Sequence, residues 1–250
     1  MSAMARSVVV TGAGSGIGRA SAVAFAEQGD RVLAVGRTEA DLRVLAEAHP
    51  GIVPLRVDVT DPGAPELIVS TAVGEFDRLD VLVNNAASAG FGELVDMTRE
   101  HVTEQLTTNV AAPVLLTREA IGPLSRSRGT VVNVSSSGSL GRRAWPGNAV
   151  YGAGKAALDF LTRTAAVELA PRGIRVVGVA PGVVRTGIGA RIGMSKQDYE
   201  GFLEHMAGRI PTGRVGEPED LAWWIVRLTE PGAGYVTGSV LAIDGGLSLT

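Results

Sequence analysis

An α/β fold, a doubly wound parallel sheet with helices on both faces, follows from three features of the sequence. Seven short runs rich in Val, Ile and Leu (6–12, 30–36, 52–58, 79–85, 129–135, 173–181 and 239–245) are nearly continuous in apolar character instead of alternating. Strands buried on both faces of a parallel sheet read this way. Helical patterns separate the runs, giving a βαβαβ alternation along the chain. A glycine-rich turn joins the first run to the first helical pattern.

The helical patterns cover 17–28, 39–48, 65–76, 99–120, 149–170 and 217–228. No linker, low-complexity tract or internal repeat interrupts them, so residues 1–250 are expected to form one domain. One long connection, 183–216, lacks a clear regular pattern. A connection of that length in a compact domain is usually functional, and a substrate-binding loop or lid is expected there.

Bulk composition narrows the function. At 45% hydrophobic residues the chain suits a globular core, and its net charge of −3 offers no basic field for nucleic acid. The absence of cysteine excludes disulfides, thiolate metal sites and a catalytic thiol. His49, His101 and His205 show no metal-ligand spacing, so no metal is expected. No leader-like signal precedes the first strand and no apolar run reaches membrane-spanning length, so a soluble, cytoplasmic protein with no membrane partner is expected.

The stretch VVVTGAGSGIGRA (8–20) places Gly12, Gly16 and Gly18 between strand and helix. Glycines there permit a tight turn and let backbone approach a diphosphate at the helix N-terminus. The second strand ends in Gly36 and Arg37, where an acidic residue would select NAD by binding its ribose 2′-hydroxyl. Gly36 leaves room for a 2′-phosphate and Arg37 supplies its cation, so NADP(H) is favoured over NAD(H). Asp58, ending the third strand, reads equally as an acceptor for the adenine amino group and as an ordinary strand-end aspartate.

At the other end of the chemistry, YGAGK sets Tyr151 and Lys155 four residues apart on one helix face. The chain has two lysines and three tyrosines, so the pairing is uncommon. A phenol needs help to cycle its proton near neutral pH, and a nearby ammonium favours the phenolate.

The glycine turn, NNAA, the serine-rich strand end, Tyr-x-x-x-Lys and APGVVRT occur in one order. With them the chain resembles the short-chain dehydrogenase/reductase family, of the 3-oxoacyl reductase-like kind, from residue 8 to 247. The resemblance implies a Rossmann-type sheet of seven parallel strands and hydride transfer between a nicotinamide cofactor and a carbonyl or alcohol. It implies a diphosphate loop at Gly12, Gly16 and Gly18, with Thr11, Ser15 and Ile17 beside it. It adds cofactor contacts at Asp58 and Val59, at Asn85 and Ala86, and at Pro181, Gly182 and Thr186, the last toward the carboxamide. Asn84 starts the NNAA motif, whose Ala87 replaces the family's glycine. The resemblance makes Tyr151 the acid/base, Lys155 the residue that holds nicotinamide ribose and tunes the phenol, and Asn109 the holder of a water in a proton relay. It also implies a homotetramer or homodimer, with contacts through the 149–170 helix and the last strand.

The serine partner requires a choice of register within VNVSSSGSLG. Counting forward from Asn133 by the pattern the resemblance implies gives Ser136, whereas counting back from Tyr151 by the family's usual spacing lands on Gly138. A two-residue insertion after the strand reconciles them, and loops tolerate insertions where strands do not. Ser136 is therefore expected to be catalytic, Ser137 and Ser139 are the alternatives, and Ser135 is structural. Pocket walls are expected from 88–95, 139–150 and 183–216. The last holds Ile188, Ile192, Met194, Tyr199, Phe202, Leu203 and Met206, read equally as lid packing and as substrate contacts. Arg142 and Arg143 read as solvated loop charges or as a lure for an acidic substrate, and Trp223 and Trp224 as packing. The expected activity is NADPH-dependent reduction of a small-molecule carbonyl. Alternatives are an alcohol or sugar dehydrogenase working oxidatively and a non-enzymatic NADP(H)-sensing protein.

Overall fold

The computed structural model describes residues 5–141, 144–191 and 193–250. All seven apolar runs are strands: β1 (Ser7–Thr11), β2 (Arg31–Gly36), β3 (Ile52–Arg56), β4 (Val81–Asn84), β5 (Thr130–Val134), β6 (Arg175–Pro181) and β7 (Val240–Ile243). They form one sheet in the order β3-β2-β1-β4-β5-β6-β7, every pairing parallel. The chain starts in the middle of the sheet, winds outward through β2 and β3, then returns to β4 and winds the other way. The strand order reverses between β1 and β4, and loops leaving those two strands diverge to open a crevice.

Alternation along each strand divides the core in two. Val8 and Val10 of β1 point into a cluster with Phe25, Leu42, Leu45 and Ile225. Val9, between them, points to the opposite face with Ile68, Phe76, Leu116 and Leu124. The first face is covered by α1 (Gly16–Glu27), α2 (Glu39–Ala48) and α9 (Pro218–Thr229); the second by α3 (Ala64–Phe76), α5 (Ala112–Ser127) and α6 (Ala149–Leu169). Because both faces are covered, the inner strands carry near-continuous apolar sequence, whereas the edge strands β3 and β7 are only partly buried.

The helix expected over 99–120 is interrupted. It comprises α4 (Arg99–Leu106), a π-helical turn (Thr107–Ala111) and α5, which continues through Pro123 to Ser127. The 183–216 connection is also more regular than expected, with α7 (Ile188–Arg191) and α8 (Lys196–Ala207) inside it. Tyr199, Leu203 and Met206 lie on one face of α8 and bury against Ile210, Val215 and Leu247, with Trp145, Ile188 and Met194 packed at the edge. These residues therefore pack on one another, whereas Phe202 is exposed. Ile192 lies outside the described residues. Trp223 and Trp224 form an exposed edge-to-face pair with centroids 4.8 Å apart. Among the described residues no helix is long and apolar enough to cross a membrane.

Candidate active site

The turn after β1 is a cradle that only glycine can line. Gly12 and Gly16 have φ of +66° and +54°, in the left-handed region. A Cβ on Gly18 would collide with the Gly12 carbonyl, so α1 begins flush against the turn. Ser15 is the N-cap of α1, but its side chain makes no capping hydrogen bond, and the first turn holds no acidic residue. Ile17, in that first turn, packs on the core. The helix N-terminus is thus left open to an external anion.

The loop after β4 is tied to this cradle. Thr11 Oγ1 accepts from the backbone N–H of Asn85 and of Ala86, both at 3.0 Å, and donates to the Val83 carbonyl. Asn85 Nδ2 donates to the Thr11 carbonyl at 2.8 Å. Thr11, Val59 and Ala86 line one small cavity with Asn84 and Thr108. At the end of β2, Arg37 is 72% exposed in its side chain and faces Asp58 at 3.7 Å. Burial works to raise the Asp58 pKa, but hydrogen bonds from the Thr60 backbone and hydroxyl, with Arg37 nearby, outweigh it and hold the carboxyl below its ordinary range. On the far side, Pro181 ends β6 and Gly182 N–H donates to the Ile243 carbonyl at 3.1 Å. Thr186 sits against the cradle, its Cβ 2.9 Å from where Gly16 would carry a side chain. Apart from Tyr151 and Lys155 on α6, the residues predicted to bind the cofactor lie at the carboxyl ends of β1 to β4 and β6, around the reversal crevice.

The candidate catalytic residues gather beside it. Tyr151 and Lys155 share a face of α6, and the Lys155 ammonium lies 5.7 Å from the Tyr151 ring centroid. Lys155 is 2% exposed and donates to the Val134 carbonyl at 2.7 Å. Burial pulls its pKa down to about 8, against the opposing field of Asp159. Burial pushes the Tyr151 phenol up to about 12, partly offset by a hydrogen bond with Ser136. The ammonium lies over the ring, and it is not among the groups that move the phenol's pKa, which burial and Ser136 set. Phe91, 51% exposed, tilts against Tyr151 with centroids 6.0 Å apart.

The serine run separates into four environments. Ser135 is buried at the end of β5, its hydroxyl 3.3 Å from the Lys155 carbonyl. Ser136 caps a 3-10 turn (Ser137–Ser139), accepts from Gly138 N–H at 3.3 Å, and meets Tyr151. Ser137 is buried, and Ser139 turns to Asp159. Arg142 and Arg143 lie outside the described residues.

Asn109 falls within the π turn and is 1% exposed. Its side chain pairs with the Ser88 backbone in both directions, at 3.0 and 2.7 Å. Gly154, next to Lys155, packs 3.5 Å from the Asn109 Cβ when given a Cβ of its own, so α6 and the π turn touch there. A π turn shifts the backbone pairing pattern and is frequent at functional sites. A buried polar ladder runs beneath: Asn84 Nδ2 donates to Asn133 Oδ1 at 2.9 Å, and Asn133 Nδ2 donates to Thr162 Oγ1 at 2.9 Å. Sequence reading used Asn133 only as a counting mark and passed over Asp159. The repeat of four from Tyr151 to Lys155 to Asp159 was the signal available for the latter.

Comparison with known proteins agrees with this geometry. Residues 12–248 match the family model described as enoyl-(acyl carrier protein) reductase. D-erythrulose reductase of Gallus gallus is 41% identical over 245 residues, covering 96% of this chain and 95% of its own. A short-chain dehydrogenase/reductase of unknown function from Caenorhabditis elegans, solved with cofactor, superposes with a TM-score of 0.93 at 33% identity, covering 98% and 96% of the two chains. A single-substitution variant of actinorhodin polyketide ketoreductase, solved with NADPH, superposes with a TM-score of 0.91 at 30% identity, covering 98% of each. The chain belongs to the short-chain dehydrogenase/reductase family of oxidoreductases.

Proposed function

We propose that the protein is an NADPH-dependent ketoreductase. The observation that carries this reading is the Ser136–Tyr151–Lys155 cluster beside a glycine cradle that a Cβ would fill. The open N-terminus of α1 suits a dinucleotide diphosphate, and exposed Arg37 suits a 2′-phosphate. The polyketide ketoreductase solved with NADPH supports the same cofactor. When bound, NADPH supplies the hydride that reduces a carbonyl carbon.

The chain's own residues manage the proton. Ser136 hydrogen-bonds the substrate oxygen as negative charge develops on it, and Tyr151 donates its proton to that oxygen. The phenol, pushed up to about 12 by burial, carries its proton at neutral pH, as a proton donor must. Lys155 fixes the ribose side of the site and stands by the phenol, and the Asn109 turn beside Gly154 offers a route for the replacement proton. The segment 183–216 serves as the lid, anchored by the buried face of α8. Phe91 against Tyr151 and Trp145 against the lid cluster make an apolar wall, which favours an apolar or aromatic carbonyl. The proposed assembly is a homotetramer or homodimer, supported by exposed Phe160 and Val167 on α6.

The test is an NADPH-oxidation screen over aryl ketones, quinones, ketosteroids, β-ketoacyl thioesters and small ketoses, repeated with NADH. Reduction of an apolar ketone with NADPH preferred supports the reading. Failure to reduce any carbonyl, together with failure to oxidise the matching alcohols, overturns it.

A further inference from the structure

Asp159 follows Lys155 on α6 by the same four residues that separate Lys155 from Tyr151, and it is 4% exposed. Its Oδ2 lies 2.6 Å from Ser139 Oγ. That same Oγ lies 2.5 Å from the Ser136 carbonyl oxygen. A serine hydroxyl has one proton to donate, whereas a backbone carbonyl and an ionised carboxylate are both acceptors only. Two contacts this short to two acceptors cannot both be hydrogen bonds from one O–H. Ser135 Oγ, 3.2 Å from Ser139 Oγ, does not remove the conflict, because a hydroxyl donated to Ser139 Oγ still leaves one proton for two acceptors. The count closes if the carboxyl brings a proton of its own.

We propose that Asp159 is a neutral carboxylic acid whose proton is donated to Ser139 Oγ, so that Ser139 donates to the Ser136 carbonyl and fixes the backbone that aims Ser136 at Tyr151. This rests on the reading of Ser136 and Tyr151 given above. Asp159 is then a positioning residue, reaching the reacting oxygen only through two serines.

The surroundings agree. Among the described residues the charged groups facing Asp159 are Lys155 and Arg163, both on α6, and the β5 loop presents the neutral hydroxyls of Ser135 and Ser139. Burial raises the carboxyl's pKa, opposed by those two hydroxyls and then by the two cations. A neutral Asp159 does not compete for the Lys155 ammonium, which remains on the Val134 carbonyl, and it withdraws the field that opposes the lowering of the Lys155 pKa, so that the downward direction stands. It also avoids burying an ionised carboxylate without a direct ion pair.

Asp159→Asn keeps an uncharged donor at this position, and Asp159→Leu removes it. Asp159→Leu and Ser139→Ala are expected to lower kcat about 10- to 100-fold with little change in NADPH affinity, the scale of one buried hydrogen bond. Asp159→Asn is expected to recover most of the kcat lost in Asp159→Leu and to leave the alkaline limb of the pH profile in place. Should Asp159→Leu not fold, the Ser139→Ala and Asp159→Asn pair carries the same comparison. Infrared difference spectra of the parent against Asp159→Asn should contain the carbonyl stretch of a protonated acid at neutral pH, a readout independent of turnover. A carboxylate signal instead, or an Asp159→Asn variant whose alkaline limb moves to lower pH, overturns the proposal even if the ketoreductase reading stands.

Discussion

The Lys155 ammonium donates to the Val134 carbonyl at 2.7 Å while standing 5.7 Å over the ring of Tyr151. One cation thus pins the end of β5, which carries Ser136, to the helix that carries the phenol. Its pKa, lowered to about 8 by burial, means the proton leaves at lower pH than from an ordinary lysine. Carbonyl reduction should therefore fall as pH rises through about 8. Lys155→Arg, which keeps its charge, should move that limb upward in a kcat/KM profile, at some cost in rate.

Tyr151→Phe removes the proton donor and little else, because the ring still packs against Phe91. Turnover should drop by at least about 10³-fold, within the usual range for a general acid. NADPH affinity, followed by fluorescence titration, should change less than about threefold if binding rests on the cradle and Arg37, a difference of under 1 kcal/mol.

Arg37 is exposed enough to turn from Asp58 toward a phosphate. Arg37→Ala should raise KM for NADPH by about 10- to 100-fold, the scale of a charge-assisted pair, and leave KM for NADH nearly unchanged. An equal effect on both cofactors would count against a 2′-phosphate contact.

Gly18→Ala tests the cradle. The added methyl meets the backbone carbonyl of Gly12 and Asn85 Nδ2, which is held by its hydrogen bond to the Thr11 carbonyl. Thermal unfolding should report a loss of about 1–3 kcal/mol from overpacking. Dinucleotide binding should weaken as well, because the strain falls on the turn itself.

How much of this was legible in sequence depended on whether the cause was local. The strands were readable because burial on both faces demands unbroken apolar runs, as in Val8 to Val10. Tyr151 and Lys155 were readable because helix periodicity joins them. The π turn around Asn109 was not, since one extra residue in a helical turn leaves the apolar periodicity nearly intact. The continuation of α5 through Pro123 was missed because a proline usually ends a pattern, and here tertiary packing of Leu124 carries the helix past it. Asp159 and the Asn84–Asn133–Thr162 ladder have meaning only across strands and helices that sequence distance does not connect. Ser136 fell between: its strand could be counted, but the length of the 3-10 turn after it could not.

The contact between Thr186 and Gly16 joins two parts of the molecule that the sequence holds far apart. The glycine turn after β1 and the root of the 183–216 segment meet there with no clearance for a single methyl group. Whatever settles one surface sets the resting position of the other. Bulk added at Gly16 would therefore be felt at Thr186, so how closely the root of the segment approaches the turn depends on that one glycine.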